Sequence, residues 1–254
     1  MSELHKSTDY KKTKPVIEIK NLFKSFGELK VLNGFNLKLF EGENLVLMGK
    51  SGSGKSVMIK CLVRLMEPDS GSIEILGKDI SKLTQQEMDV LRSEIGFLFQ
   101  GSALYDSMTV RENLEFPMRR HTDKIDIKNT DNLVMEALES VGLAAARDLL
   151  PEELSGGMQR RVALARALIL KPEIIIYDEP TTGLDPITAK EIILLMENIQ
   201  EKYKTSSLII THDVDCARVV ANRMILLLDG MDYIEGTFDE LQASRDPKVQ
   251  AFFK

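Results

Sequence analysis

The chain has 254 residues, of which 43% are hydrophobic and 28% charged, and its net charge is −6. This is the balance of a soluble globular protein, long enough for one α/β domain with small additions or for two compact domains. The acidic balance argues against a nucleic-acid binder, which shows a basic face, and apolar runs such as Met224 to Leu228 are far too short to cross a bilayer.

Residues 1–14, with Lys6, Lys11, Lys12 and Lys14, lack the apolar centre of a signal peptide and predict a mobile tail. Val16 to Ile19 and Phe35 to Leu39 alternate like strands, and Leu45 to Met48 is a short apolar run typical of a strand buried on both faces. A helix is expected from Lys55 to Leu65, then strands at Ile73 to Leu76 and Gly96 to Phe99. Between about Thr109 and Leu170 strand signals stop, and Asp131 to Val141 and Met158 to Leu170 show helical spacing. A strand at Ile174 to Tyr177 leads to a helix at Pro186 to Tyr203, with proline suited to its first turn. Strand Leu208 to Thr211, helix Val214 to Val220, strand Met224 to Leu228, a turn at Gly230 and a last helical piece complete the chain. Strands alternating with helices predict a wound, mainly parallel sheet. Cys61 and Cys216 lie in apolar helical stretches without metal-ligand spacing and read as small buried hydrophobes in a reducing compartment.

Gly49-Lys50-Ser51-Gly52-Ser53-Gly54-Lys55-Ser56 follows a strand and opens a helix. Glycines let successive N–H groups turn inward as an anion nest, and the helix start adds its dipole. Lys55 is placed for β- and γ-phosphates, and the Ser56 hydroxyl for Mg²⁺. The strand Ile174 to Tyr177 then delivers Asp178 and Glu179 at its C-terminal end, where α/β sheets bind ligands. Two adjacent acids after a strand also suit a solvated turn. Beside a phosphate loop they suit ATP hydrolysis, with Asp178 in the Mg²⁺ shell and Glu179 polarising water.

Leu154-Ser155-Gly156-Gly157-Met158 precedes a helix holding Arg160, Arg161 and Arg166. Serine before two glycines is an N-cap with a flexible approach, and a second anion-binding helix start. With this motif the sequence resembles the nucleotide-binding subunits of ABC transporters, from about Val16 to the end. The resemblance implies a P-loop NTPase core of α/β class over residues 15–254, with a small antiparallel front sheet and a helical subdomain inserted at about 104–170. It implies ATP and Mg²⁺ as cofactors, with Gln100 touching Mg²⁺ and the attacking water, His212 the γ-phosphate, and Asp185 in the loop that crosses to the other subunit. Phe26 matches the residue that stacks on adenine, although it would also suit the core of the opening sheet. Ser155, Gly156 and Gly157 would close on the ATP held by a second copy, giving a head-to-tail homodimer with two equivalent sites. The three arginines are expected to brace their helix rather than touch ATP.

The commonest form of that signature ends in glutamine; here Met158 stands in its place and Gln159 follows. This, with Phe97 to Leu104, Phe116 to Thr122, Asp185 to Thr188 and Asp246 to Gln250, looks like the ATPases of Mla-type and MCE-associated lipid transporters. That likeness implies a membrane permease, an MCE-type lipid-binding protein, no nucleic acid, and a place on the cytoplasmic face of the inner membrane. Another solute, or a signal-transmitting ATPase of cell-division type, are the alternatives. Leu104, Tyr105, Met108 and Phe116 would form a groove for a permease helix or belong to the subdomain's own core. Phe252 and Phe253 would pack on their own domain or on a neighbouring subunit.

Overall fold

The computed structural model describes residues 14–121 and 129–253, so the expected tail lies, apart from Lys14, outside the described residues. In chain order, β1 (Pro15–Phe26) and β2 (Leu29–Phe40) form a hairpin, and β3 (Asn44–Met48) leads into α1 (Lys55–Leu62). Strands β4 (Ser70–Ile75) and β5 (Lys78–Asp79) precede α2 (Gln85–Ser93). Then come β6 (Ile95–Leu98), α3 (Val110–Met118), α4 (Thr130–Ser140), α5 (Gly156–Leu168), β7 (Ile174–Asp178) and α6 (Pro186–Tyr203). The chain closes with β8 (Ser206–Thr211), α7 (Val214–Val220), β9 (Arg223–Leu228), β10 (Met231–Gly236), α8 (Phe238–Gln242) and α9 (Pro247–Gln250).

Two compact units result, one made of the described residues up to Met88 together with those from Ser206 on, the other of Asp89–Thr205. The first holds an antiparallel sheet in the order β2-β1-β4-β5. It also holds β3 between parallel β8 and β9, with β10 antiparallel on β9. All of β3 and β8 is buried, as the continuous apolar run at Leu45 to Met48 requires. Glu43, wholly buried, accepts a hydrogen bond from Arg223 Nε at 2.8 Å, and the same guanidinium donates to Lys38 O. One paired charge thus clasps the start of β3 to β9 and β2. In the second unit β6 pairs in parallel with β7. Helix α5 packs on β6, and α3, α4 and α6 pack on α5.

Several boundaries differ from the sequence expectation. Helix α1 stops at Leu62 because Arg64 turns left-handed (φ 53°), and Leu65 N–H returns to Lys60 O at 2.8 Å as a Schellman closure. Helices α2 and α3 were not expected, although each opens with a threonine three residues before a glutamate. Thr84 with Glu87, and Thr109 with Glu112, exchange hydrogen bonds as capping boxes. Strand β10 alternates exposed and half-buried positions on one edge, a weaker pattern than that of the buried strands. At the C-terminus Val249 is buried and the Phe253 ring meets Phe238 edge-on at 5.4 Å, so this tail packs on its own unit.

Candidate functional site: a phosphate cradle and a carboxylate turn

In the first unit, Met48 of β3 is in register with Thr211 of β8. Gly49 and His212 therefore leave neighbouring parallel strands side by side, at the carboxyl edge where such sheets bind ligands. His212 is exposed there. The glycine-rich loop at residues 49–56 curls over the ammonium of Lys55, whose Nζ donates to Gly49 O at 2.6 Å and Lys50 O at 3.2 Å. Two glycines are closely hemmed in. A Cβ on Gly49 would meet Ser53 Oγ at 2.6 Å, and one on Gly54 (φ 106°) would meet Val31 O at 2.8 Å. Gly54 is also the N-cap of α1, so no side-chain acceptor occupies that helix start. Helices α3, α5, α6, α7, α8 and α9 all open with a serine, threonine or aspartate that takes up a first-turn N–H. The Ser53 hydroxyl is buried with no hydrogen-bond partner among the described residues. A glycine-capped helix start, a buried ammonium and an orphan hydroxyl fit a phosphate group.

Phe26 sits at the tip of the β1–β2 hairpin with 48% of its surface exposed, so it is not a core residue. Lys24 Nζ stands 5.7 Å from its ring centroid. Ser56 is exposed on the first turn of α1.

In the second unit, β7 ends at Asp178, which is half-buried, and Glu179 follows, buried and left-handed (φ 51°). A non-glycine residue there costs about 1–2 kcal/mol, and such strain gathers where a side chain must be aimed. The turn returns Thr182, whose hydroxyl donates to Glu179 Oε2 at 3.1 Å. Asp185 caps α6 by accepting from Ile187 N and Thr188 N, and the Thr188 hydroxyl holds its carboxyl below the usual range. Ser155 caps α5, accepting from Met158 N at 3.2 Å. A Cβ on Gly157 would strike Thr188 Cγ2 at 2.5 Å, so the serine-glycine-glycine motif and the Asp185 loop are packed together. Gln159 braces the approach to that motif by donating to Pro151 O.

Gln100 is exposed just beyond β6. Its loop is held by the arginines that the sequence marked as braces. Arg160 donates to Phe99 O at 2.7 Å and to Thr182 O at 3.2 Å, and Arg166 to Ala103 O at 2.7 Å and Ser102 O at 3.0 Å. Arg161 pairs with Glu191. Sequence reasoning missed Thr182 and Thr188, because only the turn after β7 and the α5–α6 packing bring them to the motifs. Leu104, Tyr105 and Phe116 line a cavity of about 740 Å³ with Phe97, Phe99 and Arg120, whereas Met108 does not.

Comparison with known proteins fits this arrangement. Residues 32–182 match the ABC transporter family. The chain is 41% identical over 236 residues to "Probable ribonucleotide transport ATP-binding protein mkl" of Mycobacterium leprae, covering 93% of this chain and 68% of that protein. It is 37% identical to "Intermembrane phospholipid transport system ATP-binding protein MlaF" of Haemophilus influenzae, covering 94% of this chain and 90% of that one. Among solved structures, a dimeric ATP-binding cassette in a post-hydrolysis state with ADP and Pi superposes with a TM-score of 0.78 at 34% identity, over 87% of this chain and 98% of that one. The chain therefore belongs to the ABC transporter family and is one of its ATPases.

Proposed function

We propose that the chain is the ATP-hydrolysing subunit of a membrane transporter that moves phospholipid. The glycine-capped start of α1, closed over the Lys55 ammonium, carries the ATP half of this reading. Gly49 to Ser56 hold the phosphates, Phe26 stacks on adenine, and His212 meets the γ-phosphate. Glu179 polarises the attacking water, with Thr182 fixing one carboxylate oxygen. Ser56, Asp178 and Gln100 would offer oxygen donors of the kind that Mg²⁺ prefers. ATP hydrolysis by the purified chain, abolished by Glu179→Gln, tests this assignment.

Each chain has one phosphate loop and one serine-glycine-glycine helix start. A head-to-tail homodimer, in which Ser155, Gly156, Gly157 and Asp185 of one copy complete the site of the other, uses both. A separate membrane permease, as the similarity to transport ATP-binding proteins suggests, supplies the passage; no described helix is long and apolar enough to cross a membrane. The cavity lined by Leu104, Tyr105 and Phe116 supports a docking place there for a helix of that permease. The stretch from Val110 to Leu168 has no strand among its described residues, which supports a helical subdomain at about 104–170 inserted in one ATPase domain over residues 15–254.

The lipid reading draws on the Mla-like motifs and the similarity to the protein named for phospholipid transport. An MCE-type lipid-binding partner, and a place on the cytoplasmic face of the inner membrane, follow from it. The mycobacterial similarity supports a second reading, transport of another solute. Reconstitution of the complex that co-purifies with the chain separates them. ATP-driven lipid exchange between vesicles, with an MCE-type protein in the complex, supports the first; ATP-driven uptake of a soluble solute without lipid movement supports the second.

A further inference from the structure

The loop after β6 carries its own strain. Ser102 (φ 59°) and Ala103 (φ 49°) are consecutive non-glycine residues in the left-handed region, and Ala103 N–H closes back on Gly101 O at 2.6 Å. A γ-type closure of this hand is rare and does not persist unless neighbouring structure over-determines it. The neighbour here is α5. Arg166 spreads its guanidinium over two successive carbonyls, Ser102 O and Ala103 O, and Arg160, one turn and a half earlier, takes Phe99 O. Gln100 and Gly101 are the two residues left between these anchors, and both are exposed. The second arm of Arg160 reaches Thr182 O, and the hydroxyl of Thr182 donates to Glu179.

We propose that Arg166, assisted by Arg160, is a positioning residue for ATP hydrolysis: it holds the strained 99–103 loop in the shape that presents Gln100, tying that loop to the helix that begins at Ser155. The proposal rests on the reading of Gln100 given above. Neither arginine touches nucleotide in this account. A planar fork is needed because two carbonyls must be held at once, and a lysine ammonium is a point donor on a flexible stem.

The test uses the full chain in the membrane complex with which it purifies, with Arg166→Met, Arg166→Lys, Gln100→Ala and the Gln100→Ala/Arg166→Met double variant. Arg166→Met lowers kcat by roughly ten- to a hundredfold, the scale of an ångström-sized misplacement, with KM for ATP unchanged. Arg166→Lys falls between it and the parent. Hydrogen exchange rises in peptides spanning residues 99–105 and not in those from β7. In the Gln100→Ala background, Arg166→Met has no further effect on kcat, because the group it positions is already gone. Equal loss from Arg166→Met in both backgrounds, or unchanged exchange at 99–105, overturns the proposal while leaving Gln100 in place. A Gln100→Ala variant with normal kcat removes the reading of Gln100 and the proposal with it.

Discussion

Helices α1 and α5 both begin where phosphate is expected, yet the two starts are built differently. At α1 the cap is Gly54, held at φ 106° under Val31 O, and the cap itself brings no side chain to the first-turn N–H groups. At α5 the cap is Ser155, already accepting from Met158 N and lying in the open. The first start, with a buried ammonium at hand, has the build expected of a preorganised anion site. The second is a satisfied helix cap that would take a phosphate only by sharing its hydrogen bond. The difference suits a cradle that binds nucleotide by itself and a lid that closes on it when a second copy arrives.

The largest effect expected is from Glu179→Gln, which leaves both helix starts intact and removes the carboxylate proposed as the base. Turnover falls by about 10²–10⁴, nucleotide is retained, and size-exclusion chromatography shows an ATP-dependent dimer. A monomer under those conditions breaks the cradle-and-lid comparison.

Lys55→Ala removes the ammonium from the α1 cradle alone. Hydrogen bonds to a charged group are worth about 1.5–3 kcal/mol, so affinity for a non-hydrolysable ATP falls by roughly ten- to a hundredfold in a calorimetric titration. Mixing Lys55→Ala chains with Ser155→Arg chains sharpens the point. One intact cradle then faces one intact lid, and one nucleotide per mixed dimer is the expected occupancy.

Gly54→Ala strains a left-handed position by about 1–2 kcal/mol and pushes Val31 O as well. Scanning calorimetry should show melting lowered by about 2–8 °C. Gly52→Ala, with φ 78° and nothing within 4 Å, is the milder control. A Gly54 variant that melts and binds like the parent removes the claim that backbone shape makes the cradle.

The smallest effect on the isolated chain belongs to Ser155→Ala. Losing this cap costs about 1 kcal/mol of helix stability, and titration of the monomer should give unchanged ATP affinity. Loss of the ATP-dependent dimer in a Glu179→Gln background is its distinguishing result. Weakened binding by the monomer itself would place Ser155 in the same cradle as Lys55.

Much of the fold and of the candidate site was legible in one dimension, because the motifs proposed to bind phosphate are local. Gly49 to Ser56 and Ser155 to Gly157 are contiguous, and what they do depends on backbone shape that glycine and a capping serine dictate over a few residues. The buried strands were legible for a similar reason: a strand covered on both faces needs an unbroken apolar run, as at Leu45 to Met48 and Ile174 to Tyr177. Helices α2 and α3 were less so, since α2 is mostly polar and only its capping box marks it.

The tertiary structure alone decided how the motifs are tied together. Thr182 reaches Glu179 because Glu179 turns left-handed, Thr188 fills the space above Gly157, and Arg160 and Arg166 reach back some sixty residues to Phe99, Ser102 and Ala103. Sequence alone offered only the expectation that these arginines brace. Their acceptors are backbone carbonyls, which every residue carries and no side-chain pattern marks.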